Sequence, residues 1–119
     1  MGYRSHVVIA IDKELLKKNK GILEHLEYFE ASQSNTTYYF VHDSIKWYEG
    51  YPDIDALTTF LNDNPEKTAM ARVGEEITDI EGINSLYEMG ITTIRDISID
   101  MPTDPIEFKN LKLLFGKGK

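Results

Sequence analysis

The sequence predicts an α+β domain, a ferredoxin-like βαββαβ sandwich with a C-terminal α/β extension, and three observations lead there. A β-branched run opens the chain at residues 5–11. Two stretches, 12–30 and 52–63, carry apolar residues at three- and four-residue steps, and the remaining apolar segments of the first 73 residues alternate in the manner of strands. With 119 residues, 41% of them hydrophobic, there is room for one core and no second one. Residues 1–119 are therefore expected to form a single domain, with 1–73 as the βαββαβ core and 74–119 as an extension packed on that core or on a partner.

Ser5-His6-Val7-Val8-Ile9-Ala10-Ile11 reads as a buried central strand, and Asp12 as the cap of a helix. Leu15, Leu16, Ile22, Leu23, Leu26 and Phe29 form one apolar stripe of that helix, which ends near Glu30 and contains Gly21 at a cost of about 1 kcal/mol relative to Ala. The polar run 31–35 reads as a loop. Residues 36–41 and 45–48 read as two aromatic-rich strands around a hairpin turn at His42-Asp43-Ser44. Pro52-Asp53 opens a second helix with Ile54, Leu57, Phe60 and Leu61 on one face, and 62–65 ends it. Residues 68–73 follow as a strand with Ala69, Ala71 and Val73 facing one way and Met70 and Arg72 the other. Two right-handed crossovers in this order give an antiparallel sheet with both helices on one face.

The extension holds an acidic stretch at 75–81, a helical turn at 84–89 stopped by Gly90, a strand at 92–99, a break at 101–105 and a last amphipathic piece at 106–115. It has a physical role, because the other sheet face would expose rings such as Tyr39 and Tyr48, and a patch of that kind is covered by more chain, a second subunit or a ligand. The 45 C-terminal residues or a homodimer are the expected cover.

Charge and composition exclude several classes. The chain has no Cys, so disulfides, thiolate metal sites and a thiol nucleophile are ruled out. The longest purely apolar run, 7–11, is far short of the roughly 18–20 residues of a membrane span, and the N-terminus lacks a secretory pattern. Met1-Gly2 would suit N-myristoylation only with Ser or Thr at the sixth position, where the chain has His6. A cytoplasmic location is the expectation. The net charge of −7 is unevenly spread: −1 over 1–50, −9 over 51–104 and +3 over 105–119, where Lys109, Lys112, Lys117 and Lys119 sit. A −9 block repels phosphate backbones and attracts a basic protein surface, although charge runs often mean only solvated surface.

Chemistry-bearing candidates are few. Glu75, Glu76, Asp79 and Glu81 offer oxygen ligands for Mg²⁺ or Ca²⁺, but their spacing matches no EF-hand and no Lys accompanies them as in a metal-dependent nuclease. His6, His25 and His42 lie on three different elements without HxH or HExxH spacing. His42 beside Asp43 has the makings of a carboxylate-oriented base, but a His in a turn is commonly plain surface. Gly-rich phosphate loops and nucleophile elbows are missing, so no catalytic residue, metal site or cofactor is assigned. Tyr38-Tyr39-Phe40 with Trp47 and Tyr48 suggests base stacking on a sheet, but the third strand lacks the RNA-recognition signature and the charge opposes nucleic acid.

Met1-Gly2-Tyr3-Arg4-Ser5 before a Val/Ile strand, Ile45-Lys46-Trp47-Tyr48 before Tyr51-Pro52-Asp53, and Arg72-Val73-Gly74-Glu75-Glu76 with Asp79-Ile80-Glu81 carry a resemblance over residues 1–99. The chain resembles a group of short, mostly uncharacterised proteins encoded by bacteriophages and prophages, with Gly74-Glu75-Glu76 standing where the group has Gly-Glu-Asp. The resemblance implies an accessory protein that binds and blocks host factors, defence enzymes among them. Two function classes follow. The first is a non-enzymatic inhibitor of a host defence or nucleic-acid-processing factor with a basic surface, contacting it through Glu75, Glu76, Asp79 and Glu81 with Tyr39 and Tyr48. The second is a small metal-dependent or ligand-binding enzyme using the acidic loop 75–81 and His42.

Overall fold

The computed structural model describes residues 3–76, 78–93, 96–100 and 102–116. The elements run β1 (Ser5–Asp12), α1 (Lys13–Lys18), a 3-10 helix (Lys20–Leu26), β2 (Glu30–Gln33), β3 (Thr37–Ile45), α2 (Pro52–Asp63), β4 (Thr68–Val73), β5 (Ile80–Asn84), β6 (Ile91–Thr93), β7 (Ile97–Ile99), β8 (Asp104–Ile106) and α3 (Phe108–Gly116). Six strands form one antiparallel sheet in the order β5-β4-β1-β3-β2-β8, and β6 and β7 pair separately as a small hairpin. The fold is thus α+β. No described helix is long and apolar enough to cross a membrane.

β1 is central, bonded to β3 on one side and β4 on the other, and its residues Val7 to Ile11 are all buried. Strand alternation divides them between two cores. Val7, Ile9 and Ile11 join Tyr38, Phe40 and Met70 beneath Leu16, Leu23, Leu26, Phe29, Leu57, Leu61 and Leu111. Val8 and Ala10 join Tyr39, Ala69 and Ala71 on the opposite face, beneath Leu86, Met89, Ile91, Ile97 and Ile99. The chain's own Leu86, Met89, Ile91, Ile97 and Ile99 therefore cover the second face, where a homodimer was the alternative. Tyr39 has no exposure, and its hydroxyl donates to the Met89 carbonyl at 2.6 Å.

Several local expectations are corrected. The helix expected over 12–30 starts as foreseen, with the Asp12 carboxylate accepting from the Glu14 and Leu15 N–H groups, but α1 stops at Asn19. Asn19 leaves helical geometry, its side-chain amide donates to the Leu15 carbonyl, and the chain resumes as a 3-10 helix through Gly21. The apolar stripe survives because i, i+3 spacing suits both helix types. Only 34–35 of the expected loop 31–35 lie in a connection, since β2 occupies Glu30–Gln33 and pairs with β3. Nor is there a hairpin turn at His42-Asp43-Ser44. β3 is one strand, and its partner on β1 moves from Val7↔His42 to Ser5↔Ile45. One extra β3 residue is accommodated as a bulge, which uses the same small polar residues that a turn would.

In the extension, β5 precedes the expected helical turn, which forms at 85–90 and ends at Gly90 with φ of 75°. The single strand expected over 92–99 is two, β6 and β7, with residues 94 and 95 outside the described set. β8 falls partly within the expected break, although Met101 is outside the described residues. Pro105 is tolerated there because β8 is an edge strand beside β2.

Leu111→Ala is expected to lower the unfolding free energy by about 2–5 kcal/mol, as for other fully buried leucines. Tyr39→Phe is expected to cost about 1 kcal/mol for the lost bond. Urea denaturation checks both, and an unchanged midpoint for Leu111→Ala would mean that α3 is an appendage rather than part of the core.

Candidate functional site

The predicted acidic cluster lies where β4 leaves the sheet and returns as β5. Arg72, on β4, organises it. Its Nη2 and Nη1 meet the two oxygens of Asp79 at 2.7 and 3.1 Å, its Nε meets Glu81 at 2.9 Å, and Nη1 also donates to Ser5 Oγ at 3.0 Å. Register explains the contact, because Arg72 stands opposite Glu81 in the β4–β5 pairing. The Tyr3 hydroxyl donates to Asp79 at 2.7 Å and accepts from the Glu76 N–H at 3.0 Å. The Arg4 N–H donates to the Glu75 carboxylate, and the Tyr3 N–H to the Tyr48 hydroxyl. Gly74 admits this closure, since a Cβ there would overlap the Asp79 carboxylate and the Tyr3 hydroxyl.

These bonds set the electrostatics. The Arg72 guanidinium, followed by the Tyr3 hydroxyl, holds the Asp79 carboxyl below the usual carboxylate range. Asp79 and Glu81 in return hold Arg72 in its charged form. At Tyr3 the Glu76 N–H pulls the phenol down, but desolvation and the adjacent Asp79 carboxylate outweigh it and the net shift is upward.

Of the six sequence-predicted contact residues, Tyr48, Asp79 and Glu81 line one depression of about 390 Å³ together with Tyr3 and Arg72. Glu75 and Glu76 are exposed on the loop beside it. Tyr39 lies in the core and presents no surface. Tyr48 lies beyond the end of β3, so the two tyrosines do not share a sheet face. Among the described residues no three His, Asp or Glu groups converge as metal ligands, and the two carboxylates best placed to do so are committed to Arg72. In the basic tail, Lys109 faces Glu107 at 3.6 Å, whereas Lys117 and Lys119 lie outside the described residues.

The histidines take roles that local spacing could not show. His42 does not pair with Asp43. Its Nδ1 accepts from the Ser44 N–H at 3.1 Å, and its ring meets Phe29 edge-on at 5.5 Å. Asp43 instead stands 3.7 Å from His6 Nε2, while His6 Nδ1 meets Asp96 at 2.6 Å. This ties β1 to the bulge of β3 and to the β6–β7 cover, and His6, followed by the Ile97 N–H, keeps the Asp96 carboxyl below its ordinary range. His25 Nδ1 meets Asp53 at 2.7 Å, joining the 3-10 helix to the first turn of α2.

Two clefts flank this end of the sheet and share Arg4, Ser44 and Lys46. One, of about 750 Å³, is polar and acidic, with His6, Asp43, Glu75 and Asp96 in its walls. The other, of about 430 Å³, is aromatic and takes in Tyr28, Phe29, His42 and Tyr51. Arg4 and Lys46 both fall in segments that carry the resemblance, but nothing in the sequence places them together, and the pairing of Ser5 with Ile45 does so. No protein-family signature, no curated protein and no solved structure matches the chain.

Asp79 and Asp96 have folded-state pKa values below those of the unfolded chain. Each therefore contributes stability that is present above the ordinary carboxylate value of about 4 and lost as pH falls through the lower folded value. Asp79→Asn and Asp96→Asn are each expected to flatten the acid limb of a plot of thermal midpoint against pH. Gly74→Ala is expected to cost about 1–3 kcal/mol at neutral pH by forcing Asp79 and Tyr3 apart, measured by denaturant titration.

Proposed function

We propose that this chain is a non-enzymatic accessory protein of the phage type that docks on a partner protein with a basic surface and blocks it. The observation that carries the reading is the open edge of β5. Among the described residues that strand bonds to β4 on one side only, and Ile80, Glu81 and Gly82 are exposed along it. An unpaired strand edge offers backbone donors and acceptors to a partner segment. Exposed Glu75 and Glu76 precede this strand, and exposed Glu88 follows it with Tyr87, whose side chain is almost wholly in solvent. Acidic groups around a free edge select a basic segment and speed its approach.

Arg72 refines the contact set. Because it bridges Asp79 and Glu81, those residues shape the edge, and the carboxylates left to face a partner are those of Glu76 and Glu88. The strand order β4-β1-β3-β2, with both crossovers packed on one face, supports reading residues 1–73 as a ferredoxin-like core that presents this edge.

Glu76→Lys combined with Glu88→Lys leaves the Arg72 pairs intact. Capture of a basic partner from bacterial lysate is expected to fall about tenfold or more at low salt, with a weaker salt dependence than the parent chain. Quantitative capture across a salt series checks this, and equal recovery by the folded double variant and the parent would refute the acidic-edge reading.

A further inference from the structure

The geometry points to the aromatic cleft as a binding site for a nucleoside phosphate, with the base between tyrosines and the phosphate at Arg4 and Lys46. None of its lining residues belongs to β5, so this inference stands apart from the docking edge.

The cleft's volume of about 430 Å³ falls in the range of small-molecule pockets. Its apolar part is formed by Phe29, Ile45 and Ile54, the first and last of them buried. Tyr28 is 84% exposed and Tyr51 45% exposed, so two large rings stand in solvent at a concave site. Such rings offer stacking faces to any base.

The cations supply the complementary half. Arg4 Nη1 donates to the Ser44 carbonyl at 3.1 Å, which orients the guanidinium, and among the described residues it has no carboxylate partner. Its remaining N–H groups are free to form the forked contact that suits a phosphate. Lys46, two residues further along the chain from Ser44, also lines the cleft and forms no ion pair among the described residues. Asp53, the one carboxylate in this lining, is held by His25 at 2.7 Å. The acidic side chains near Arg4, namely Asp43, Glu75 and Asp96, belong to the neighbouring cleft.

The chain's charge decides the size of the ligand. A net −7 repels a polymer of phosphates, whereas a single nucleotide brings little charge beyond the reach of Arg4 and Lys46. The ligand class is a nucleoside 5′-phosphate, free or at the end of a short strand.

Calorimetric titration of the full chain with the 5′-monophosphates of adenosine, guanosine, cytidine and uridine tests this, with the corresponding nucleosides, inorganic phosphate and a 5′-phosphorylated oligonucleotide as comparison arms. At least one monophosphate is expected to bind at least tenfold more tightly than its nucleoside or phosphate alone. Arg4→Gln, Lys46→Gln and Tyr51→Ala are each expected to weaken it several-fold or more, with circular dichroism confirming the fold. Equal affinity for the 5′-phosphorylated and unphosphorylated oligonucleotides, insensitive to Tyr51→Ala, would overturn the site. So would no binding of any monophosphate at millimolar concentration, or binding unaffected by all three substitutions. An oligonucleotide that binds only when phosphorylated, with the same sensitivity to the variants, would support the site and identify a strand end as the ligand's source.

Discussion

Burial of β1 on both faces is the constraint from which the rest of the structure follows. Val7 to Ile11 leave no residue for solvent, so each side of the central sheet needs its own apolar cover. The helical connections supply one cover, because α1, the 3-10 helix and α2 all pack against the odd-numbered residues of β1. They cannot reach the even-numbered side, and the chain past β5 must fold back to protect it. Ala10, Ala69 and Ala71 make that side shallow enough for the turn 85–90 and the β6–β7 hairpin to settle on it. The extension is therefore part of the domain's core and not an addition to it.

The same constraint fixes where charge collects. Once β5 has joined β4, Arg72 emerges between two strand ends and gathers Asp79, Glu81, Ser5 and, through Asp79, Tyr3. An arginine fork satisfied by two carboxylates closes the start of β1 onto the β4–β5 turn. Part of the predicted acidic cluster is thus an internal clasp at the sheet margin. Glu75 takes part through the Arg4 N–H, whereas the carboxylates of Glu76 and Glu88 are left to face outward.

Local signals in the chain settled some elements, and long-range pairing settled others. The central strand β1, the span of β4 and the Pro52 start of α2 were legible because periodicity, proline and β-branching act within a few residues. The division of 36–48 was not. His42-Asp43-Ser44 satisfies a turn and a bulge equally well, and only the pairing of Ser5 with Ile45 decides between them. β2 escaped notice because Glu30-Ala31-Ser32-Gln33 has weak strand preference and becomes a strand by lying beside β3. In the candidate sites, the acidic residues were visible as a run, but the pairing of Asp79 and Glu81 with Arg72 and the seclusion of Tyr39 were not.

By itself the sequence determined an acidic α+β chain without cysteine, its central strand, its two crossover segments and the need to cover a second sheet face. These follow from composition and from local periodicity, which the backbone obeys wherever it lies. Tertiary structure alone decided which segment made that cover, which carboxylates stayed free, and that Arg4, Ser44 and Lys46 meet at the shared wall of two clefts. Those outcomes depend on strand register and on contacts between residues dozens of positions apart, where a shift of one residue would change every partner.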